Sequence, residues 1–315
     1  MSISVVIRAY NEAGHIGRLL HGLSAQTRRP DQVILVDSGS TDGTVDLAQA
    51  SGVTDVVRIA KEEFSFGRAL NLGIAAAEGE LVVIPSAHIY PVYDTWIENL
   101  TTPLADDRWA LAYGRQQGDH RTKFAEERLL ERWFPATSNP DQDHPFCNNA
   151  NAAIRRDVWA RHPYDETLTG LEDLAWANAC MQDGLRLAYV AEAPVVHVHE
   201  ESWSQVVNRY RREAIAHKRI FPSQDLPLLE AAGLALRHVG TDLVAAARQR
   251  RTLRDASAIV AFRGAQFWGS YSGFRHSGPV TQSLKRHFYY PDVEAESVAA
   301  VDPEARPGTP IDYRD

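Results

Sequence analysis

The stretch from Gly79 to Pro91, GELVVIPSAHIYP, constrains the architecture of this chain more than any other. From Leu81 to Ile84 every side chain is apolar, with no polar residue in alternation. A strand of that kind needs cover on both faces, which a parallel sheet flanked by helices provides. Two upstream runs, Ser4–Ile7 and Gln32–Val36, have similar character, and Asp55–Ile59 is a third, weaker strand. Helical patterns separate them: Ile16, Leu19, Leu20 and Leu23 share one face, and Gly67 to Ala77 forms a second helix. Strands alternating with helices predict an α/β fold with right-handed crossovers. In open α/β sheets, ligands sit outside the carboxyl ends of the strands, which is where His88 falls. A buried histidine satisfied by a backbone carbonyl fits the same local sequence.

Further along, helices are expected over residues 96–104 and 122–134, with a strand over 109–115. Residues 135–146 have the turn residues of a surface loop. Asn149 to Ile154 leads to a short helix around Val158 and Trp159, and another helix from Leu171 to Gln182 stops at Gly184. Strands follow at 185–190 and 194–198. After His199 the pattern is helical, with Trp203, Val206, Val207, Tyr210 and Ala214 on one face and later helices near 226–250 and 253–274. The organisation read from this is a sheet domain over 1–221, a helical extension over 222–292 and a disordered acidic tail over 293–315.

A net charge of -8 argues against nucleic acid as a partner. Cys147 and Cys180 make neither a disulfide framework nor a zinc spacing, so reduced thiols and a cytoplasmic setting are expected. No apolar run has the length of a membrane span, and Met1 leads directly into a strand, so no leader is expected.

Four short constellations can carry chemistry. Asp37, after the second strand, can accept from a ribose or a base, or cap the turn that follows. Arg68, within FGRALNLG, can bind phosphate or be a solvated helix arginine. Glu172 and Asp173 open a helix, where the dipole favours acids and a positioned carboxylate can act as general base. His197 and His199 point to the same side of a strand, as a metal pair or as an ordinary polar strand end.

Taken in order, these motifs resemble the family 2 glycosyltransferases of the GT-A fold. VVIRAYNE at 5–12 is similar to that family's opening strand and turn, and QVILVDSGSTDGT at 32–44 to its second-strand motif. FGRALNLG at 66–73 resembles the helix before the metal strand, and LVVIPSAH occupies the place of the strand ending in Asp-x-Asp. NNANAAIRR at 148–156 resembles the loop on the acceptor side, LEDLAWA at 171–177 the Glu-Asp motif, and HVHEES at 197–202 the histidine-containing end. The resemblance spans about residues 3 to 221.

It implies a GT-A, Rossmann-like, mostly parallel sheet flanked by helices, with a C-terminal helical extension. It implies inverting transfer of a sugar from a nucleotide donor (UDP, dTDP or GDP type) to a glycan or lipid-linked acceptor, in polysaccharide or glycolipid biosynthesis. Donor contacts are implied for Arg8, Tyr10, Glu12, Asp37, Arg68, Asn71, Ser86 and His88, and acceptor contacts for Asn149 and Asn151. Asp173 is the implied base, with Glu172 orienting a loop or the acceptor. Two departures matter. Ser38 stands where many relatives carry an acid that contacts uracil, which leaves dTDP or GDP open. Ser86-Ala87-His88 replaces Asp-x-Asp, so a divalent metal, Mn²⁺ or Mg²⁺, would rest on His88 with His197 and, in reserve, His199. That loss also leaves open a non-catalytic relative that binds a nucleotide sugar or glycan. QFWGSYSGFR at 266–275 resembles the tail of rhamnosyltransferase-like members. Peripheral contact with the inner face of a membrane is expected through the helix from Ser202 to Phe221 and the segment Phe262 to Phe274.

Overall fold

The computed structural model describes residues 1–275 and 308–313. Its first half is the expected alternation: β1 (Ile3–Ala9), α1 (Ile16–Ser24), β2 (Gln32–Asp37), α2 (Thr44–Ala50), β3 (Asp55–Arg58), α3 (Phe66–Ala75) and β4 (Leu81–Pro85). β3, β2, β1 and β4 pair in parallel in that order. Alternate side chains of β1 serve opposite faces. Val6 packs with Leu70 and Ile74 of α3, while Val5 and Ile7 pack with Ile16, Leu19 and Leu20 of α1.

The second half extends the same sheet. β5 (Ile89–Pro91), α4 (Trp96–Thr101), β6 (Trp109–Gln117), α5 (Phe124–Trp133), β7 (Asn151–Arg155), α6 (Arg156–Arg161), α7 (Glu172–Gln182) and β8 (Arg186–His197) follow. The eight strands run β3-β2-β1-β4-β7-β6-β8-β5, with β7 and β5 antiparallel to their neighbours. Three readings change here. Asn151–Arg155 is a central strand rather than a lead-in, because Ala152, Ala153 and Ile154 are fully buried between β4 and β6. Burial overrides the weak strand propensity of Asn and Ala. The two strands expected at 185–198 are one, and its pairing with β6 shifts register opposite Gly114 to Gln116. The 135–146 loop is also tied down: Asn139 exchanges backbone hydrogen bonds with Tyr189, and the Gln142 amide donates to the carbonyls of His144 and Phe146.

Three helices close the chain: α8 (Trp203–Ile220), α9 (Leu228–Arg248) and α10 (Leu253–Phe274). Ser202 with Gln205, and Thr252 with Asp255, form capping boxes that start α8 and α10. α10 lies along α8 so closely that a Cβ at Gly269 would stand 2.5 Å from the Val207 carbonyl oxygen. Between α9 and α10, Arg263 donates to Asp242 at 2.7–2.8 Å, to Gln266 and to the Ala125 carbonyl, and both charged residues are buried.

Most of the apolar residues in the two segments expected to contact a membrane are taken up in this packing: Val206, Tyr210, Ala214, Phe262, Phe267 and Phe274 are buried, while Trp203 and Trp268 are exposed. The tail reading also needs amendment. Residues 308–313 lie against the sheet domain, where Thr309 and Ile311 pair with Asp94 and Val92, and the Tyr313 hydroxyl donates to the Pro91 carbonyl. The rest of the expected tail, and the extension beyond residue 275, lies outside the described residues.

Candidate active site

The carboxyl ends of β1, β4 and β8, the start of α7 and one face of α8 enclose a cleft of about 630 Å³. Arg8 enters from β1. Its guanidinium pairs with Glu172 at 3.0 Å and lies 4.9 Å from the Phe66 ring centroid. Arg212 of α8 also packs on Phe66, at 4.7 Å. It forms no ion pair among the described residues, and its Nε is buried without a hydrogen bond.

Leu171 reaches the start of α7 in the left-handed region, with φ 55°. That turn separates the two acids that follow it. Glu172 turns to Arg8, while Asp173 accepts from the backbone N–H groups of Asn149 at 3.0 Å and Leu174 at 2.8 Å. Burial, reinforced by the neighbouring Glu172 charge, pushes the Asp173 carboxyl up to about 7; the two N–H donors and Arg8 oppose the rise. Asp173 also borders an enclosed cavity of about 90 Å³ walled by Leu129, Leu130, Phe134 and Phe146, with Tyr210 and Glu213 at its polar end. Burial raises Glu213 too, against the pull of Arg209 and Arg212. An acid poised near neutrality between an open cleft and a lined cavity is placed to take a proton from a group that bridges them.

Three imidazoles line the same cleft as Asp173. His88 follows β4, His197 ends β8 and His199 follows two residues later. Their ring centroids are 4.0 Å apart for His197–His199, 5.1 Å for His88–His197 and 5.8 Å for His88–His199. Glu12 holds His88 at 2.9 Å, Gln116 holds His197 at 2.6 Å and Glu126 holds His199 at 2.8 Å. Burial holds His197 and His199 well below the usual histidine range, so both are neutral near pH 7. The three rings bring ligand nitrogens within 4.8 Å of one another, and the buried Nε2 of His197 makes no hydrogen bond. This donor set fits a divalent cation.

The remaining expected residues divide. Ser86 lines the cleft, its hydroxyl 3.0 Å from His88 Nε2, and Asn149 lines it as well. Tyr10 does not line the cleft; it is exposed, and the Lys61 ammonium lies 2.8 Å from its hydroxyl. Asp37 is almost wholly buried, and its carboxylate accepts from the backbone of Gly39 and Ser40; it shapes the turn, the capping alternative. Arg68 and Asn71 do not line the cleft. Arg68 pairs with Glu63 and Glu166, and Asn71 braces Tyr164, Trp159 and Glu166, because their side of α3 faces the 164–166 loop. Asn151 is fully buried and joins Trp96 to the Arg115 and Ala193 carbonyls, so it holds the sheet rather than an acceptor. Sequence reasoning missed Arg209, Arg212 and Glu213 as site residues. Arg209, buried and paired with Glu126 and Glu201, belongs to a helix whose approach to the cleft has no local sequence signal.

Comparison with known proteins agrees with this geometry. Residues 4–162 match the model of the Glycosyl transferase family 2. The O-antigen chain rhamnosyltransferase WbaN of Salmonella anatum is 27% identical over 229 residues, covering 69% of this chain and 72% of WbaN. The glycosyltransferase AglE of Haloferax volcanii is 34% identical over 202 residues, 62% of this chain and 66% of AglE. Among solved structures, the mannosyltransferase PcManGT of Pyrobaculum calidifontis, in complex with GDP-Man and Mn²⁺, superposes with a TM-score of 0.60 at 19% identity, over 86% of each chain. The glucosyl-3-phosphoglycerate synthase of Mycobacterium tuberculosis, with Mg²⁺ and UDP, gives a TM-score of 0.52 at 22% identity, over 70% of this chain and 78–79% of the other in its UDP complexes. With the GT-A fold, the cleft and the acid pair in place, the matched half of the chain settles its membership: it belongs to glycosyl transferase family 2.

Proposed function

We propose that this enzyme transfers a sugar, with inversion, from a nucleoside diphosphate sugar to a glycan or lipid-linked acceptor in polysaccharide or glycolipid assembly. The observation that carries this reading is Asp173, held by two backbone donors between the cleft and the lined cavity. The donor diphosphate lies over Arg8 and Arg212, and the acceptor approaches from the cavity side. Asp173 takes the proton of the acceptor hydroxyl as its oxygen attacks the anomeric carbon from the face opposite the diphosphate. The bond to the diphosphate breaks as the new one forms, which inverts the centre. A divalent cation held by His88, His197 and His199 would neutralise charge on the leaving diphosphate. Likeness to WbaN supports a deoxyhexose such as rhamnose as the sugar. Purified protein given UDP-, dTDP- and GDP-sugars with a lipid-diphosphate-linked acceptor should release the nucleoside diphosphate and form a product of inverted anomeric configuration by NMR. Donor binding without transfer to any acceptor tried would favour the non-catalytic reading that the replaced Asp-x-Asp suggests.

Arg212, which lines the cleft and forms no ion pair among the described residues, is the cation assigned here to the diphosphate. Removing a charge-assisted hydrogen bond of this kind costs about 1.5–3 kcal/mol. Arg212→Ala should therefore weaken nucleoside diphosphate binding by about ten- to a hundredfold by calorimetry. Unchanged affinity would place the diphosphate elsewhere.

A membrane-facing surface is proposed on the outer side of the α9–α10 hairpin, in place of the buried faces expected from sequence. Leu229, Leu236, Val244, Leu253, Val260 and Trp268 are exposed, Leu229 and Leu253 by 88% and 91%. Arg237, Arg248, Arg250, Arg251 and Arg254 are exposed around them. An apolar stripe edged by cations suits an anionic lipid surface. No helix among the described residues is long and apolar enough to cross a membrane. Sedimentation with anionic vesicles should be lost in Leu229→Ser with Leu253→Ser; equal binding by that variant would remove the surface, and a concentration-dependent dimer would assign it to a second copy.

A further inference from the structure

We propose that His88, His197 and His199 form a three-imidazole centre selective for a borderline transition metal of the Zn²⁺, Co²⁺ or Ni²⁺ class over Mg²⁺ and Mn²⁺. Its catalytic use rests on the transfer reading above; its metal preference does not.

The donor atoms argue for it first. Mg²⁺ requires oxygen ligands in near-ideal octahedral geometry, and Mn²⁺ binds a given nitrogen site more weakly than the later divalent metals. The strands and loops here converge imidazole nitrogens instead, all within 4.8 Å. Three histidines with an open position are a zinc-type catalytic set.

The surroundings of the rings argue for it second. Each Nδ1 meets an oxygen from a different element: Glu12 from the turn after β1, Gln116 from β6 and Glu126 from α5. An oxygen acceptor at Nδ1 keeps the ring proton there and leaves the lone pair on Nε2. That partner also fixes the ring plane and raises the basicity of the ligand nitrogen, an outer contact whose loss typically costs about ten- to a hundredfold in metal affinity. The buried Nε2 of His197 has no protein partner at all.

Seating an ion requires the rings to turn, the stacked pair His88 and His197 (planes 22° apart) most of all. A tetrahedral ion with bonds of about 2.0–2.1 Å holds its ligand nitrogens about 3.3–3.4 Å apart. The present spread is larger, and the Ser86 hydroxyl at 3.0 Å from His88 Nε2 must yield that nitrogen to the ion. The open coordination position then faces the cleft that His88, His197 and His199 all line.

The test uses the full chain, stripped of metal and titrated with Co²⁺ without donor or acceptor. The expected result is a visible d–d absorption band at one Co²⁺ per chain. Zn²⁺ should abolish the band, and a large excess of Mg²⁺ or Mn²⁺ should leave it. Competition should give Zn²⁺ an affinity about a hundredfold or more above that of Mn²⁺. His197→Ala and the more exposed His88→Ala should each lose the band with near-ultraviolet dichroism intact. Comparable affinities for Mn²⁺ and Zn²⁺, no band in the parent protein, or a band that survives in a folded His88→Ala variant overturns the proposal. A band in a protein that transfers no sugar keeps the metal centre and removes the transfer reading; transfer by a protein with no band does the reverse.

Discussion

Replacing Asp173 with asparagine is expected to lower kcat by about two to four orders of magnitude and leave donor binding unchanged. Asparagine keeps the shape, and its single amide oxygen can accept from one of the Asn149 and Leu174 N–H groups, but it cannot take a proton. Only the ionised carboxylate is active in the native enzyme, so transfer should rise with pH through about 7 and then level. The same group links to stability with a definite sign. Its folded value lies above the unfolded one near 3.8, so its contribution is fully present below pH 3.8 and is lost as pH rises through about 7. Asp173→Asn should therefore melt higher than the parent at pH 8, with the gain shrinking toward pH 5. Native-rate transfer by Asp173→Asn, with loss in Glu172→Gln, would reverse the two roles.

Asp242→Ala is expected to cost about 3–5 kcal/mol of unfolding free energy, because it strands the Arg263 guanidinium in the interior. Both residues are buried between α9 and α10, and no other carboxylate lies within ion-pair distance of Arg263 among the described residues. Substituting both together, Asp242→Leu with Arg263→Met, should restore most of the loss, since a matched apolar pair avoids desolvating two charges. Denaturant unfolding of the single and double variants decides this; a cost below about 1 kcal/mol for the single change would show that water reaches the guanidinium. The effect should extend to the cleft, because α10 backs α8, which carries Arg209, Arg212 and Glu213.

The strands of the first half were legible because Leu81–Ile84 and its counterparts are apolar at successive positions, a pattern few other environments accept. β7 was not, since Asn, Ala and Ala state no preference until β4 and β6 close over them. Within the site, the acid pair and the histidines stood out in sequence as short polar motifs at the ends of apolar strands and at a helix start, whereas the groups that hold them, Arg8, Glu12, Gln116 and Glu126, lie 73 to 164 residues away. Arg68 and Asn71 were misassigned for the opposite reason: helix periodicity gives a face but not which neighbour it meets, and here the 164–166 loop takes it. Arg212 is the converse case, an unremarkable arginine on a charged helix until that helix crosses the cleft.

The ion pair between Arg8 and Glu172 joins positions 164 residues apart, and the Glu12–His88 and Gln116–His197 contacts add spans of 76 and 81. Local segments can form early, but none of these contacts returns free energy until a long loop has closed. The cleft is thus assembled late. During synthesis at about 5–20 residues per second, a chain lacking α8 exposes the carboxyl ends of its sheet for several seconds or longer, with no competent site. Amide exchange around Glu172–Leu174 should accordingly gain protection after β1 and β2 have done so.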